Sequence, residues 1–329
     1  GSSPSASRGP VATPDRAGQR GRRPGVLSVE VTGRCERRCS YCYNAWADAP
    51  APPPDLPADE LVALVRAVLA QSGFGAVQVS GGEPLLRADL PDILEGLRPH
   101  VSSLSLVTDG ADLDDRMIAT LARLRVGPLQ PTLLAANREV HDAFKGAPCF
   151  DRTVANIARL LRARVPVSVA FVCTRQNADR FADVLDLCFA LGVRSVAFSR
   201  LCTAGRGARG AEALLPEPAQ VARCLEAAES ASSALGLRVH VAISLPLCAV
   251  EPARYPHLQF GRCAVSGGTP GFTLDPAGHL RACSISSTVL GDLRVERWDD
   301  VVARATGGYF RDAARLPAAC AGCALAAAC

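Results

Sequence analysis

The chain has 329 residues, 48% of them hydrophobic, and a formal net charge of +4 from 36 basic and 32 acidic side chains. That is enough apolar material for a full core, which excludes a disordered protein. The charges are spread along the chain and every apolar run is short, so the reading is a soluble, cytosolic protein without a nucleic-acid or membrane partner.

In chain order, residues 1–24 are Pro, Ser, Gly and Arg with almost nothing apolar, and are read as a flexible tail without a secretory h-region. The start at Gly1 rather than Met marks the leading residues as candidates for a cloning remnant. From Val26 to about Ile243, short β-branched runs alternate with longer Ala/Leu/Arg stretches of helical spacing. Strands are predicted at Val26–Val31, Ala76–Ser80, Ser103–Thr108, Pro128–Leu134, Pro166–Val172 and Ser195–Arg200. Helices are predicted after Pro57 ("ADELVALVRAVLAQ") and from Asp151 ("DRTVANIARLLRA"). Crossovers long enough for a helix imply parallel strands, so the fold class is α/β, a partial (βα)6 TIM-like barrel over residues 25–245. Its chemistry is expected on loops at the carboxyl ends of the strands.

The loop after the first strand reads "CERRCSYCY" and places Cys35, Cys39 and Cys42 together. Three thiolates hold three irons of a [4Fe-4S] cubane and leave the fourth open to a substrate or cofactor. A zinc knuckle is the plainer alternative, but it wants a fourth N/S ligand, and neither His nor Cys follows nearby. Fourteen cysteines could also suggest a disulfide scaffold, yet the chain is long and core-rich.

C-x3-C-x2-C with Tyr41 before the last cysteine resembles the signature of radical S-adenosylmethionine (radical SAM) enzymes. "SGGEP" at the end of the second strand (Ser80, Gly81, Gly82, Glu83, Pro84) resembles the family's methionine-binding segment. There the resemblance implies that the glycines admit the cofactor's amino group and that Glu83 balances positive charge. "TDG" (Thr108, Asp109, Gly110) stands where the family commonly has T-N-G, with a ribose contact implied for Asp109. "HDAFKG" resembles a stretch of the peptide-modifying branch, with Thr132 in the place of a serine just before it. Lys145, the single lysine, is either a solvated surface charge or a partner for the cofactor carboxylate. "TRQN" (174–177) and "TAGRG" with Arg206 fall where the family contacts adenosine and carboxylate. Cys149, Cys173, Cys188 and Cys224 are read as packing residues; Cys202 is either core or a hydrogen-atom donor to a substrate radical.

Past Ile243, Cys263, a G-x4-C ending at Cys283, and C-x2-C-x5-C at Cys320, Cys323 and Cys329 resemble the SPASM or shorter twitch extension, assigned to residues 246–329. "LDPAGHLRAC" is predicted to be a β-hairpin turned at Pro276–Gly278, and a helix is expected around Trp298. The resemblance implies at least one auxiliary [4Fe-4S] cluster on Cys263 and Cys283 with two of Cys320, Cys323 and Cys329. Cys248 is an extra ligand or a bystander. The full SPASM pattern continues beyond this point, so either the chain is truncated or it carries one cluster of twitch type.

The implied activity is generation of a 5'-deoxyadenosyl radical from S-adenosylmethionine, with a flavodoxin- or ferredoxin-type protein as reductant. The leading expectation is oxidative modification of a ribosomally made precursor peptide by crosslink, thioether or C–C bond formation. The alternatives are oxidation or rearrangement of a small molecule, favoured by the lack of a leader-binding domain before Val26, and a non-catalytic electron carrier. Ser284 directly after Cys283 stands where sulfatase-maturing relatives carry an aspartate base, which counts against that subclass.

Overall fold

The computed structural model describes residues 25–44, 46, 54–261, 263, 271–313 and 317–326. Its strands are β1 Val26–Glu30, β2 Ala76–Ser80, β3 Ser103–Val107, β4 Leu129–Gln130, β5 Val169–Cys173, β6 Ser195–Arg200, β7 Arg238–Val241, β8 Gln259–Phe260, β9 Thr273–Leu274, β10 His279–Arg281 and β11 Val289–Asp292. The helices are α1 Ala58–Ser72, α2 Leu90–Leu97, α3 Asp115–Arg123, α4 Arg138–Lys145, α5 Phe150–Arg162, α6 Phe181–Leu191, α7 Gly205–Arg209, α8 Ala211–Leu214, α9 Pro218–Leu235 and α10 Trp298–Ala305.

All six predicted strands form. The fourth and fifth are shorter than expected because Pro128, Pro131 and Pro166 have no amide to give a ladder. β7 and β8 were not predicted: four residues of alternating Arg, Val and His, and a two-residue pair, carry little strand signal on their own. Strands β1–β4 pair in parallel in one sheet and β5–β8 in another, with single bridges Leu129–Val167 and Thr132–Ala170 across the joint. The predicted hairpin forms as β9–β10, and β11 joins it as a third strand. β9 pairs in parallel with β1, so the C-terminal strands extend the first sheet.

Alternation along the strands separates two environments. Phe171 and Phe198 face outward onto Phe181 of α6, with ring centroids 4.4 and 5.2 Å away. Leu27, Val29, Val77, Val79, Leu104 and Leu106 are likewise fully buried, and α1 buries Leu61, Val65, Val68 and Leu69 along one face. Burying each such side chain contributes about 1.5–3 kcal/mol. The opposite strand face is small and polar. One row across the first sheet runs Thr273, Ser28, Gln78, Ser105, and one across the second runs Ala170, Ala197, His240. Most of these residues are only half-buried, whereas a closed (βα)8 barrel fills its interior with layers of Val, Ile and Leu. Among the described residues this interior is therefore lined by small and polar side chains rather than packed with large apolar ones. Among the described residues no helix is long and apolar enough to cross a membrane.

Candidate active site

The cysteine loop leaves β1 and is fastened at both ends to neighbouring strand and helix termini. Gly82 N donates to the Thr32 carbonyl (2.7 Å) and Glu83 N to the Arg34 carbonyl (2.8 Å). A Cβ on Gly82 would stand 2.0 Å from the Arg34 oxygen, and one on Gly81, where φ is +143°, 2.4 Å from the Thr32 oxygen. The passage of the cysteine loop over them is thus by itself a reason for the two glycines. Ser80 is buried at the end of β2, and its carbonyl takes the Val31 amide. Pro84 opens a short 3-10 turn that Glu83 caps through Leu85 N. Farther on, Arg38 N and Ser40 N donate to the carbonyls of Lys145 and Phe144 at the C-terminus of α4, where Gly146 is left-handed. Tyr41 packs edge-on against Phe144 at 6.4 Å. Gly207 N donates to the Cys42 carbonyl, and Arg206 reaches the carbonyls of Arg37 and Cys39. In this structure Arg206 braces the loop.

The three thiols on this loop are free, Cys35 exposed and Cys39 and Cys42 half-buried. Although Cys35 is accessible to solvent, the protein crowded around it pushes its thiol up to about 11, with Glu83, Cys39 and Cys42 adding negative repulsion. Ligands on one zinc would have sulfur atoms about 3.8 Å apart, given a Zn–S bond of about 2.3 Å. The three sulfurs are not all within 4.8 Å of one another, which fits a larger cationic group rather than a single ion.

Beside the loop, Glu83 accepts from Thr108 Oγ1 (2.7 Å), Asp109 N (2.7 Å) and Leu85 N (3.1 Å). Burial and the Asp109 charge push its carboxyl up to about 7 against those donors. No cation pairs with Glu83 among the described residues; it ties the end of β2 to that of β3. Asp109 pairs with Arg37, inside the cysteine loop, and Arg37 also pairs with Asp112, which takes Arg152. Burial alone would raise the Asp109 carboxyl, but the Lys145 charge, the Ala111 amide and Arg37 hold it below the usual range. An asparagine here could not neutralise Arg37, which accounts for the departure from T-N-G. Asp109→Ala is expected to cost about 3 kcal/mol, the low end for breaking a buried pair because Asp112 remains. Urea unfolding of the reconstituted protein measures it, and a loss under about 1 kcal/mol would refute the pairing argument.

Lys145 is 2% exposed, so the surface-charge reading fails. It makes no ion pair among the described residues, although its charge is felt at Asp109, Cys42 and His141. Thr132 is half-buried at the β4–β5 joint. The preceding His141 and Asp142 are structural. Asp142 caps α5 through the amides of Cys149 and Phe150, and His141 Nδ1 accepts from Leu134 N at 3.3 Å, so its Nε2 carries the proton toward Cys149 Sγ at 3.5 Å. Burial and the Lys145 charge hold His141 down at about 4. These three residues gather within 4.8 Å, but with their atoms engaged in this way they do not make a metal site. In "TRQN", Asn177 bonds Thr174 and the carbonyls of Leu134 and Val172, a splice between strands. Cys149, Cys173, Cys188 and Cys224 are all buried.

The C-terminal cysteines are less gathered. Cys283 and Cys320 are half-buried, Cys248, Cys263 and Cys323 exposed, and no three of the described ones come within 4.8 Å. Cys329 lies outside the described residues. Cys202 is buried where the charge of Cys283 is felt. A further contact was not anticipated. Glu30 at the end of β1 pairs with Arg281 of β10 and accepts from Trp46 Nε1 at 3.1 Å, with the Arg281 guanidinium 5.3 Å from the Trp46 ring. A glutamate on the same strand face as Ser28 was the available signal.

The Radical SAM superfamily model matches residues 29–188. A PqqA peptide cyclase of Streptomyces rochei is 30% identical over 266 residues, 79% of this chain and 69% of that protein. The chain belongs to the radical SAM superfamily. As a radical SAM enzyme it binds a [4Fe-4S] cluster and S-adenosylmethionine. Its fold resembles Streptococcus suis SuiB bound to S-adenosylmethionine (TM-score 0.71, 15% identity, 93% of this chain and 72% of that one). It also resembles anSMEcpe with bound AdoMet and the Kp18Cys peptide (TM-score 0.72, 16% identity, 92% and 87%).

Proposed function

We propose that this radical SAM enzyme oxidatively modifies a ribosomally made precursor peptide. The observation that carries the reading is the 30% identity to a peptide cyclase across 79% of the chain. It is supported by a "HDAFKG" segment whose last two residues seat the cysteine loop. Cys35, Cys39 and Cys42 hold the cluster. When bound, cluster and S-adenosylmethionine supply a carbon radical that takes hydrogen from an unactivated C–H bond. Lys145, buried without an anionic partner among the described residues, offers its ammonium to the cofactor carboxylate. Tyr41 and Phe144 close the apolar side against water. Glu83, Asp109 and Arg37 keep the loop in place, and Arg206 braces it from the other side. Cys263 and Cys283, with two of Cys320, Cys323 and Cys329, hold at least one auxiliary cluster, and a flavodoxin- or ferredoxin-type protein supplies electrons.

The test is anaerobic incubation of reduced, reconstituted enzyme with S-adenosylmethionine and a panel of synthetic candidate precursor peptides. The expected result is 5'-deoxyadenosine together with a peptide lighter by two hydrogens. Deoxyadenosine with an unchanged peptide, but with consumption of a small molecule from a cell extract, would overturn the peptide reading.

A further inference from the structure

The entry of the cysteine loop is fastened to "SGGEP" by the amides of Gly82 and Glu83, which are engaged with the carbonyls of Thr32 and Arg34. Its exit is held to the same segment by a side chain. Asn44, buried two residues past Cys42, donates from Nδ2 to the Gly81 carbonyl at 2.9 Å, across 37 positions of sequence. Its Oδ1 accepts the Trp46 amide at 2.8 Å, which fixes the carboxamide with its nitrogen, not its oxygen, toward Gly81. Trp46 is anchored in turn, its Nε1 donating to Glu30 at 3.1 Å. On the other side "TAGRG" leaves the backbone no room to withdraw. A Cβ on Gly205, where φ is +52°, would stand 2.7 Å from the carbonyl oxygens of both Cys42 and Asn44, and Gly207 N donates to the Cys42 carbonyl at 3.0 Å.

We propose that Asn44 is a positioning residue for S-adenosylmethionine, acting through the Gly81 carbonyl on the cofactor's amino group. Gly81 belongs to the segment that resembles the family's methionine-binding stretch. Its φ of +143° lies where glycine alone moves freely, so local preference does not fix the direction of its carbonyl and an outside hold is needed. Asn44 supplies that hold. A carbonyl oxygen has two lone pairs, so the Asn44 bond takes one and leaves the other for an ammonium. Glu83, the other acceptor of this turn, has its carboxylate engaged by Thr108, Asp109 and Leu85. A bond from an ammonium to a neutral oxygen is strong when the oxygen is already aimed, and weaker when binding must first order it. The inference concerns the cofactor and holds whichever substrate is modified.

The test compares reconstituted, oxidised parent with Asn44→Ser. Serine keeps an oxygen for the Trp46 amide, because it makes the same local turn, but is too short to reach Gly81. Equilibrium dialysis measures two ligands: S-adenosylmethionine, and 5'-methylthioadenosine, which keeps the adenosine and lacks the amino and carboxylate groups. The variant is expected to bind S-adenosylmethionine about tenfold more weakly, the equivalent of one hydrogen bond's net contribution. Its affinity for 5'-methylthioadenosine and its iron content are expected to match the parent's. Unchanged affinity for S-adenosylmethionine, or equal weakening of both ligands, would overturn the proposal. So would a variant that loses iron or does not fold, because Asn44 would then serve the loop and not the cofactor. Binding is read without reduction or turnover, so a result against Asn44 leaves the peptide reading standing, and failure to modify any peptide leaves Asn44's role standing.

Discussion

Replacing Cys35, Cys39 and Cys42 together by alanine will remove about four irons per chain, one cubane's complement, and abolish formation of 5'-deoxyadenosine. The three side chains lie on one loop whose backbone is held independently of any metal: by Gly82 and Glu83 amides at one end and by the carbonyls of Phe144 and Lys145 and the Gly207 amide at the other. Removing the sulfurs therefore leaves the loop seated and takes away the ligands alone. With Cys35 raised to about 11 and Cys42 also raised, both thiols are protonated in the apoprotein and carry no charge to lose, so its unfolding in urea will shift little. Cys188→Ala is the matched control, since that thiol is buried in α6 and touches nothing of the site. It will keep full iron and full cleavage, with a small loss of stability from the space it leaves, about 1 kcal/mol. Iron and sulfide analysis beside a deoxyadenosine assay decides the matter. Cleavage surviving in the triple variant would refute the ligand assignment.

What could be read in the sequence was what lies close together in it. The cysteine loop, "SGGEP", the strand–helix alternation and the β9–β10 hairpin are all local patterns, and each forms where expected. What could not be read depends on partners far apart. Asp109 and Arg37 are 72 positions apart, and nothing local says that an aspartate in place of asparagine neutralises an arginine in another loop. Lys145 was closer to legible: His141, Phe144 and Lys145 fall at i, i+3 and i+4, one helical face, and all three are buried. A lysine on that face is a buried lysine, and its chemistry differs from that of a solvated one. Strands β7 and β8 and the docking of β9 on β1 depend on sheet pairing between segments with too few residues to announce themselves. The polar interior was legible in hindsight from the alternation in "VLSVE" and "AVQVS", where Ser, Gln and Glu occupy every second position.

The pair formed by Glu30 and Arg281 will show the second large effect. Arg281 is 0% exposed, its charge is met by Glu30, and Nη1 donates to the Ser286 carbonyl at 2.8 Å. Arg281→Met leaves Glu30 buried without a cation, which costs about 3–5 kcal/mol. Burial already raises the Glu30 carboxyl despite Arg281 and the Trp46 indole, and without the guanidinium it will rise further. The folded variant then binds a proton more tightly than its unfolded chain does, so the variant will recover stability as the pH falls from neutral toward the ordinary carboxylate range. Glu30→Leu with Arg281→Met removes both charges at once, and apolar replacements of a whole buried pair are often neutral. The double variant is thus expected to be much more stable than Arg281→Met alone. It will nevertheless lose the acceptor for Trp46 Nε1 and the cation over its ring, the contacts through which the β9–β11 strands grip the segment following Cys42. A double variant that unfolds like the parent but holds its iron less well on dilution would separate the two roles, stability from seating of the loop. Single variants losing under about 1 kcal/mol, or a double variant no more stable than the single, would refute the buried pair as the joint between the two ends of the chain.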